Sequence, residues 1–145
     1  LRALADSPDA FGTTLAVDEA RPESQWRARA ENKEVAHFLA LTPQGDSLGI
    51  AVGAPYTDYA ATAGLFGMWV TPEARGQKIG SALVLAVVDW ARSENYHRVV
   101  LDVADTNEAA IGLYASYGFV PTGNVSALPP PRKHIAEHER CLELT

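Results

Sequence analysis

The order of apolar and polar positions divides the chain into short strands and helices. Apolar residues run at strand length from Glu34 to Thr42 and from Ser47 to Tyr56, with Pro43-Gln44-Gly45-Asp46 between them. Turn chemistry between two such runs predicts a β-hairpin. Thr62 to Val70 is apolar at both parities, which predicts a central strand covered on both faces. Gln77 to Glu94 is a long apolar segment whose Lys78, Ser81, Asp89 and Arg92 keep to one narrow stripe. It predicts a helix buried over most of its circumference. Val99 to Val103 predicts a strand and Asn107 to Ser116 a second helix. Phe119 to Ala127 and Glu139 to Leu144 predict a closing strand pair, joined by the proline-stiffened loop Leu128 to His134.

The start of the chain is less regular. Leu1 to Asp6 predicts the last turns of a helix that Ser7-Pro8-Asp9 ends, and Phe11 to Ala20 a loop or short turn. Pro22 to Asn32 predicts a helix with Pro in its first turn and Trp26 and Ala30 on one face. Strand, helix, strand, helix through the middle of the chain implies a parallel step, and the flanks are hairpins. The expected fold class is therefore α/β with a mixed sheet and helices on both faces. No internal repeat or boundary interrupts it, so residues 1–145 are expected to form a single domain.

Composition narrows the function. The chain has 145 residues, 47% apolar and 21% charged, enough for one sizeable core. Its net charge of −6 argues against nucleic acid as a partner and is compatible with a cationic acceptor. No apolar run reaches the roughly 20 residues needed to span a bilayer, so no membrane partner is expected. The one cysteine, Cys141, cannot form an internal disulfide and suits a reducing cytoplasm. None of the four histidines falls at metal-ligand spacing with Cys or carboxylates, so no metal is expected.

The most informative stretch is Val70 to Leu83, VTPEARGQKIGSAL. It joins the strand ending at Met68-Trp69-Val70 to the long helix. A strand that turns through an Arg- and Gly-bearing loop into a helix builds an anion site from loop amides, free first-turn N–H groups and the helix dipole. Gly76 and Gly80 allow a ligand close to the backbone, and Arg75 and Lys78 add positive charge. The same residues also fit an ordinary strand-loop-helix connection.

Together with NEAAIGLYASYGFVPTG from Asn107 to Gly123, this stretch resembles the GNAT superfamily of acetyl-CoA-dependent acyltransferases. Val70, Pro72, Arg75, Gly76, Gly80 and Leu83 match the first motif; Asn107, Ala109, Ile111, Leu113, Tyr114, Gly118 and Phe119 match the second. Lys78 departs from the pattern, standing where the family usually has its first motif glycine. The resemblance implies a GNAT-like sheet, mostly antiparallel, with one splayed parallel pair. It also implies that the family's first strand and the start of its first helix would lie upstream of Leu1. The implied activity is direct transfer of acetyl from acetyl-CoA to a primary amine of a small molecule or peptide, and a homodimer is compatible with it.

The resemblance further implies roles for residues. The amides of Arg75, Gly76, Gln77, Lys78, Gly80 and Ser81 would hold the pyrophosphate. A main-chain N–H within Met68, Trp69 and Val70 would polarise the thioester carbonyl, an interaction typically worth about 3 kcal/mol. Asn107 would contact the pantetheine arm or cap its helix. Tyr114 matches the tyrosine that protonates the departing thiolate in many relatives, with Tyr117 as a structural competitor. No motif fixes the base that deprotonates the amine: Asp102, Glu139, His134, His138 and a water chain all remain open. Phe11, Trp26, His134, His138 and Glu139 fall in the regions that would build the acceptor site. Two other readings stay open. One is a catalytically weak CoA-binding regulatory module of the same fold. The other is an unrelated nucleotide-binding α/β domain, which would lack its usual Gly-Lys-Ser/Thr or GxGxxG signature.

Overall fold

The computed structural model describes residues 1–144. Five α-helices and six strands are present among them: α1 Arg2–Asp6, α2 Leu15–Glu19, α3 Glu23–Glu31, β1 Ala36–Leu41, β2 Ser47–Pro55, β3 Thr62–Val70, α4 Ile79–Ser93, β4 Arg98–Ala104, α5 Glu108–Ser116, β5 Val120–Ala127 and β6 Ala136–Glu143. The strands form one mixed sheet in the order β1-β2-β3-β4-β6-β5. β1 with β2, β2 with β3, and β5 with β6 are antiparallel. β3 and β4 are the parallel pair, and their ladder joins Thr62, Ala63 and Gly64 to Arg98, Val99 and Val100. β3 continues from Leu65 to Val70 past the last of these rungs.

The chain divides into two compact units. The first takes Lys33–Leu101 with the last residues from Leu142. In it α4 packs on β1, β2 and β3, presenting Leu83, Val84, Val87, Val88 and Ala91 as its buried stripe. The glycines of β2 make this packing close. A Cβ on Gly53 would lie 2.5 Å from the Trp90 ring, and one on Gly49 would lie 2.9 Å from the Trp69 carbonyl oxygen and 3.0 Å from Leu83. Side chains there would lift the helix off the sheet. The second unit takes Leu1–Asn32 with Asp102–Cys141. Its core includes Ala104, Leu128 and Ile135, so both ends of the proline-rich loop are anchored by apolar burial. Leu128 N–H also donates to the Ile135 carbonyl.

Several local expectations need correction. The expected loop from Phe11 to Ala20 contains α2, started by Thr14, whose hydroxyl accepts from Val17 N–H. Pro22 stands at the N-cap of α3 rather than in its first turn, and α3 buries no residue; Trp26 is instead flanked by the Arg21 and Arg29 guanidiniums at 5.3 and 5.5 Å, a cation–π arrangement. β3 is covered without a break only from Thr62 to Leu65; Phe66 is 40% exposed, and beyond it Trp69 is buried again. α4 starts at Ile79, two residues later than the pattern predicts, and Leu85 is 43% exposed on it. β6 starts three residues early, at Ala136, which moves His138 and Glu139 from the loop or its edge into the strand. No helix among the described residues is long and apolar enough to cross a membrane.

Candidate functional site

The first candidate region is continuous in sequence and lies within one unit. On β3, Phe66 pairs with Val52 and Trp69 with Ile50, so Gly67 and Met68 face the single residue Ala51. This is a β-bulge, and Gly67 supplies its positive φ of 58°. The bulge turns the backbone at Met68, Trp69 and Val70, the stretch that the resemblance assigns to the thioester carbonyl.

Beyond Val70 the chain is tied back at each step. Thr71 is buried and its N–H donates to the Leu48 carbonyl at 2.8 Å. Pro72–Ala74 form a 3-10 turn with Ala74 buried beneath it. The Arg75 Nε donates to the Val70 carbonyl at 3.1 Å, and the Gln77 amide donates to the Glu73 carbonyl at 3.3 Å. The motif arginine therefore braces the loop against the end of β3 as well as placing charge there.

The departure from the family pattern has a physical resolution. Lys78 is in the left-handed region, at φ 64° and ψ 16°, and is the N-cap residue of α4. That conformation is the one glycine adopts without cost and other residues adopt at about 1–2 kcal/mol. The loop thus keeps a glycine-like path with a lysine in it. Gly76 likewise has φ 80° with open space around it. Alternating positive-φ residues turn successive N–H groups toward one side, the geometry of an anion-binding nest. Among the described residues, no side chain caps α4 and no acidic residue stands in its first turn. Arg75, Gly76, Gln77 and Lys78 are exposed, while Gly80 and Ser81 are half-buried. The helix N-terminus is therefore positive and open to an anion.

The second region lies on α5 in the other unit. Asn107 is the N-cap: its Oδ1 accepts from Ala110 N–H at 3.3 Å. The far end closes with Gly118 at φ 92°, Gly118 N–H on the Ala115 carbonyl and Phe119 N–H on the Tyr114 carbonyl. This is a Schellman cap, and its accompanying apolar contact is the edge-on Tyr114–Phe119 pair at 5.9 Å. Asn107, Gly118 and Phe119 thus hold the helix, and Tyr114 is fixed as part of its C-terminal cap. Tyr114 is 6% exposed, and burial pushes its hydroxyl up from 10.0 to about 12. Tyr117 is half-buried at the C-cap.

Among the candidate bases, Glu139 is buried and its Oε1 accepts from Thr122 Oγ1 at 2.7 Å and Asn124 Nδ2 at 3.0 Å. These donors sit in the irregular part of the β5–β6 ladder between Pro121 and Val125. Both donors tie Glu139 to that irregular stretch, so its carboxylate braces β5 against β6. Asp102, His134 and His138 are exposed. The pattern missed Glu137. It is half-buried on β6; burial and then Asp102 raise its carboxyl, and Arg132 lowers it. Arg132, on the proline-stiffened loop, donates from its guanidinium to the carbonyls of Pro8, Phe11, Gly12 and Thr13. No sequence signal reports the surroundings of Glu137 or the backbone partners of Arg132, because both depend on segments far apart in the chain. No group of His, Cys, Asp or Glu among the described residues is placed to hold a metal ion.

The family model described as Acetyltransferase (GNAT) family matches residues 3–119. The chain belongs to the GNAT acetyltransferase family. N-acetyltransferase 8B of Homo sapiens is 48% identical over 59 residues, which are 41% of this chain and 26% of that protein. Aminoglycoside N(6')-acetyltransferase type 1 of Klebsiella aerogenes is 33% identical over 104 residues, 68% of each chain. A GCN5-related N-acetyltransferase from Kribbella flavida shares the fold at a TM-score of 0.77 and 24% identity, over 99% of this chain and 87% of that one. The chain thus spans about a quarter of the human relative and about two thirds of the aminoglycoside enzyme. The matched residues 3–119 include both the Val70–Ser81 loop and α5.

Proposed function

We propose that this GNAT chain is an N-acetyltransferase that moves acetyl from acetyl-CoA directly to a primary amine. The observation that carries this reading is the open, positive N-terminus of α4 reached through a loop that keeps its glycine-like path despite Lys78. Acetyl-CoA is the co-substrate. The amides of Arg75, Gly76, Gln77, Lys78, Gly80 and Ser81 receive its pyrophosphate. A main-chain N–H of the bulged stretch Met68–Val70 takes the developing oxyanion, and Asn107 and Tyr114 serve the pantetheine and sulfur end.

In the reaction the amine nitrogen attacks the thioester carbon and the C–S bond breaks; the amine's proton passes to a side-chain base or a chain of waters and balances the departing thiolate, so the products are the amide and CoA thiol. Tyr114 works as a donor. A phenol near 12 stays protonated at neutral pH but is a weaker acid than a thiol near 8.5. Its contribution is a hydrogen bond donated to the departing sulfur rather than complete proton transfer, and such bonds to charged groups contribute about 1.5–3 kcal/mol. The acceptor region is the segment after α1 together with the β5–β6 pair and its loop. Two features favour a CoA-binding module without turnover, Lys78 in the loop and the absence of an assigned base; the glycine-like path at Lys78 speaks against the first, and the assay below decides the second.

The test is a thiol-release assay with acetyl-CoA across a panel of amines: polyamine, aminoglycoside, amino acid and peptide N-terminus. It runs beside thermal shifts with acetyl-CoA, CoA and ATP. Stabilisation by acetyl-CoA and CoA with amine-dependent thiol release is the expected result. Stabilisation without release from any amine would replace the enzyme reading with a binding module, and stabilisation by ATP alone would remove both.

A further inference from the structure

We propose that Arg132 is a positioning residue for the acceptor: it clamps the segment after α1 onto the proline-rich loop and so sets the acceptor site without touching the reacting atoms. The inference rests on the acetyltransferase reading and on its placement of the acceptor region, and it assigns that region its organising side chain.

The geometry is specific. Arg132 Nη1 donates to the Pro8 carbonyl and, at 2.8 Å, to the Phe11 carbonyl; Nη2 donates to the Gly12 and Thr13 carbonyls at 3.2 and 3.3 Å. One planar fork thus satisfies four carbonyls of an irregular stretch that has no ladder of its own. The other end of that stretch is held independently. Thr13 Oγ1 donates to buried Asp18 at 3.2 Å, and Arg21 pairs with the same oxygen at 2.6 Å. Arg21 in turn stacks over Trp26. The loop that carries Arg132 is itself anchored, by burial of Leu128 and Ile135. Both partners are therefore fixed at their far ends, and Arg132 is the link between them. With its Nη1 and Nη2 donors turned onto backbone carbonyls and its charge beside the Glu137 carboxyl, the guanidinium acts as a strut.

A lysine cannot reproduce this arrangement. Its single ammonium is a point charge with three donors and no fork, so it keeps the charge and loses most of the four contacts. Arg132→Lys and Arg132→Ala should both raise the KM for the best amine acceptor about tenfold, as expected when a segment that positions a substrate shifts by a fraction of an ångström. The KM for acetyl-CoA and kcat at saturating acceptor should stay within about twofold. Hydrogen–deuterium exchange in peptides covering residues 8–14 should rise in both variants.

Raised exchange with an unchanged acceptor KM overturns the proposal. So does a parallel loss of melting temperature and of both KM values in both variants, which is what a merely structural arginine gives. Arg132→Lys guards against the case in which Arg132→Ala fails to fold. A wild-type protein that turns over no amine in the panel removes the acetyltransferase reading and this inference with it; the exchange measurement then still reports whether Arg132 holds the segment.

Discussion

Replacing Lys78 by glycine should make the protein more stable. Lys78 is held at φ 64° and ψ 16° at the start of α4. A residue with a Cβ occupies that region at a cost of about 1–2 kcal/mol, and glycine occupies it freely. Glycine also gives the unfolded chain extra freedom, which takes back about 0.4–1 kcal/mol. The net gain is about 0.5–1 kcal/mol. For a chain of 145 residues each kcal/mol moves the melting temperature by roughly 3 °C, so Lys78→Gly should melt about 2–3 °C higher. Lys78→Ala is the control: it removes the ammonium and keeps the strained backbone, so its melting temperature should stay near wild type. Titration calorimetry with acetyl-CoA separates charge from geometry, because equal weakening in both variants assigns the loss to the ammonium. A glycine variant no more stable than the alanine variant would show that the left-handed residue carries no strain, and the explanation of the motif departure would fail.

Three further outcomes follow from the same geometry. Gly80→Glu should abolish measurable acetyl-CoA binding by calorimetry, since it puts bulk and like charge where the pyrophosphate meets the first turn of α4; unchanged affinity would remove that loop from the cofactor site. Gly53→Ala should destabilise by roughly 1–3 kcal/mol in a urea titration, because its Cβ would lie 2.5 Å from the Trp90 ring. Tyr114→Phe should slow turnover about tenfold to a hundredfold with acetyl-CoA affinity unchanged. It should also flatten the alkaline limb of stability. The folded hydroxyl is raised to about 12, so the folded state keeps a proton that the unfolded state loses near 10. Stability is then complete below about pH 10 and falls towards pH 12, by about 3 kcal/mol at 1.36 kcal/mol per unit. Wild type and Tyr114→Phe losing stability alike over that interval would contradict the buried, protonated phenol.

What the sequence determined by itself is local in origin. The β1–β2 hairpin follows from Pro43-Gln44-Gly45-Asp46 and β3 from an unbroken apolar run. α5 follows from Asn107 at one end and Gly118 at the other, since caps and turns are decided by residues a few positions apart. The Arg75 to Ser81 loop was legible for the same reason: its glycines and charges sit in one stretch. The conformation of Lys78 was not legible, because a lysine's own preference is against positive φ and only the path between β3 and α4 imposes it. Nor were the partners of Glu139, because only the pairing of β6 with β5 brings it against Thr122 and Asn124. Arg132 shows the limit most plainly. Its partners lie 119 to 124 positions away, at carbonyls whose identity leaves no mark on the residue type. Hydrogen bonds to backbone and desolvation of a buried group depend on which segments meet, and only the tertiary structure decides that.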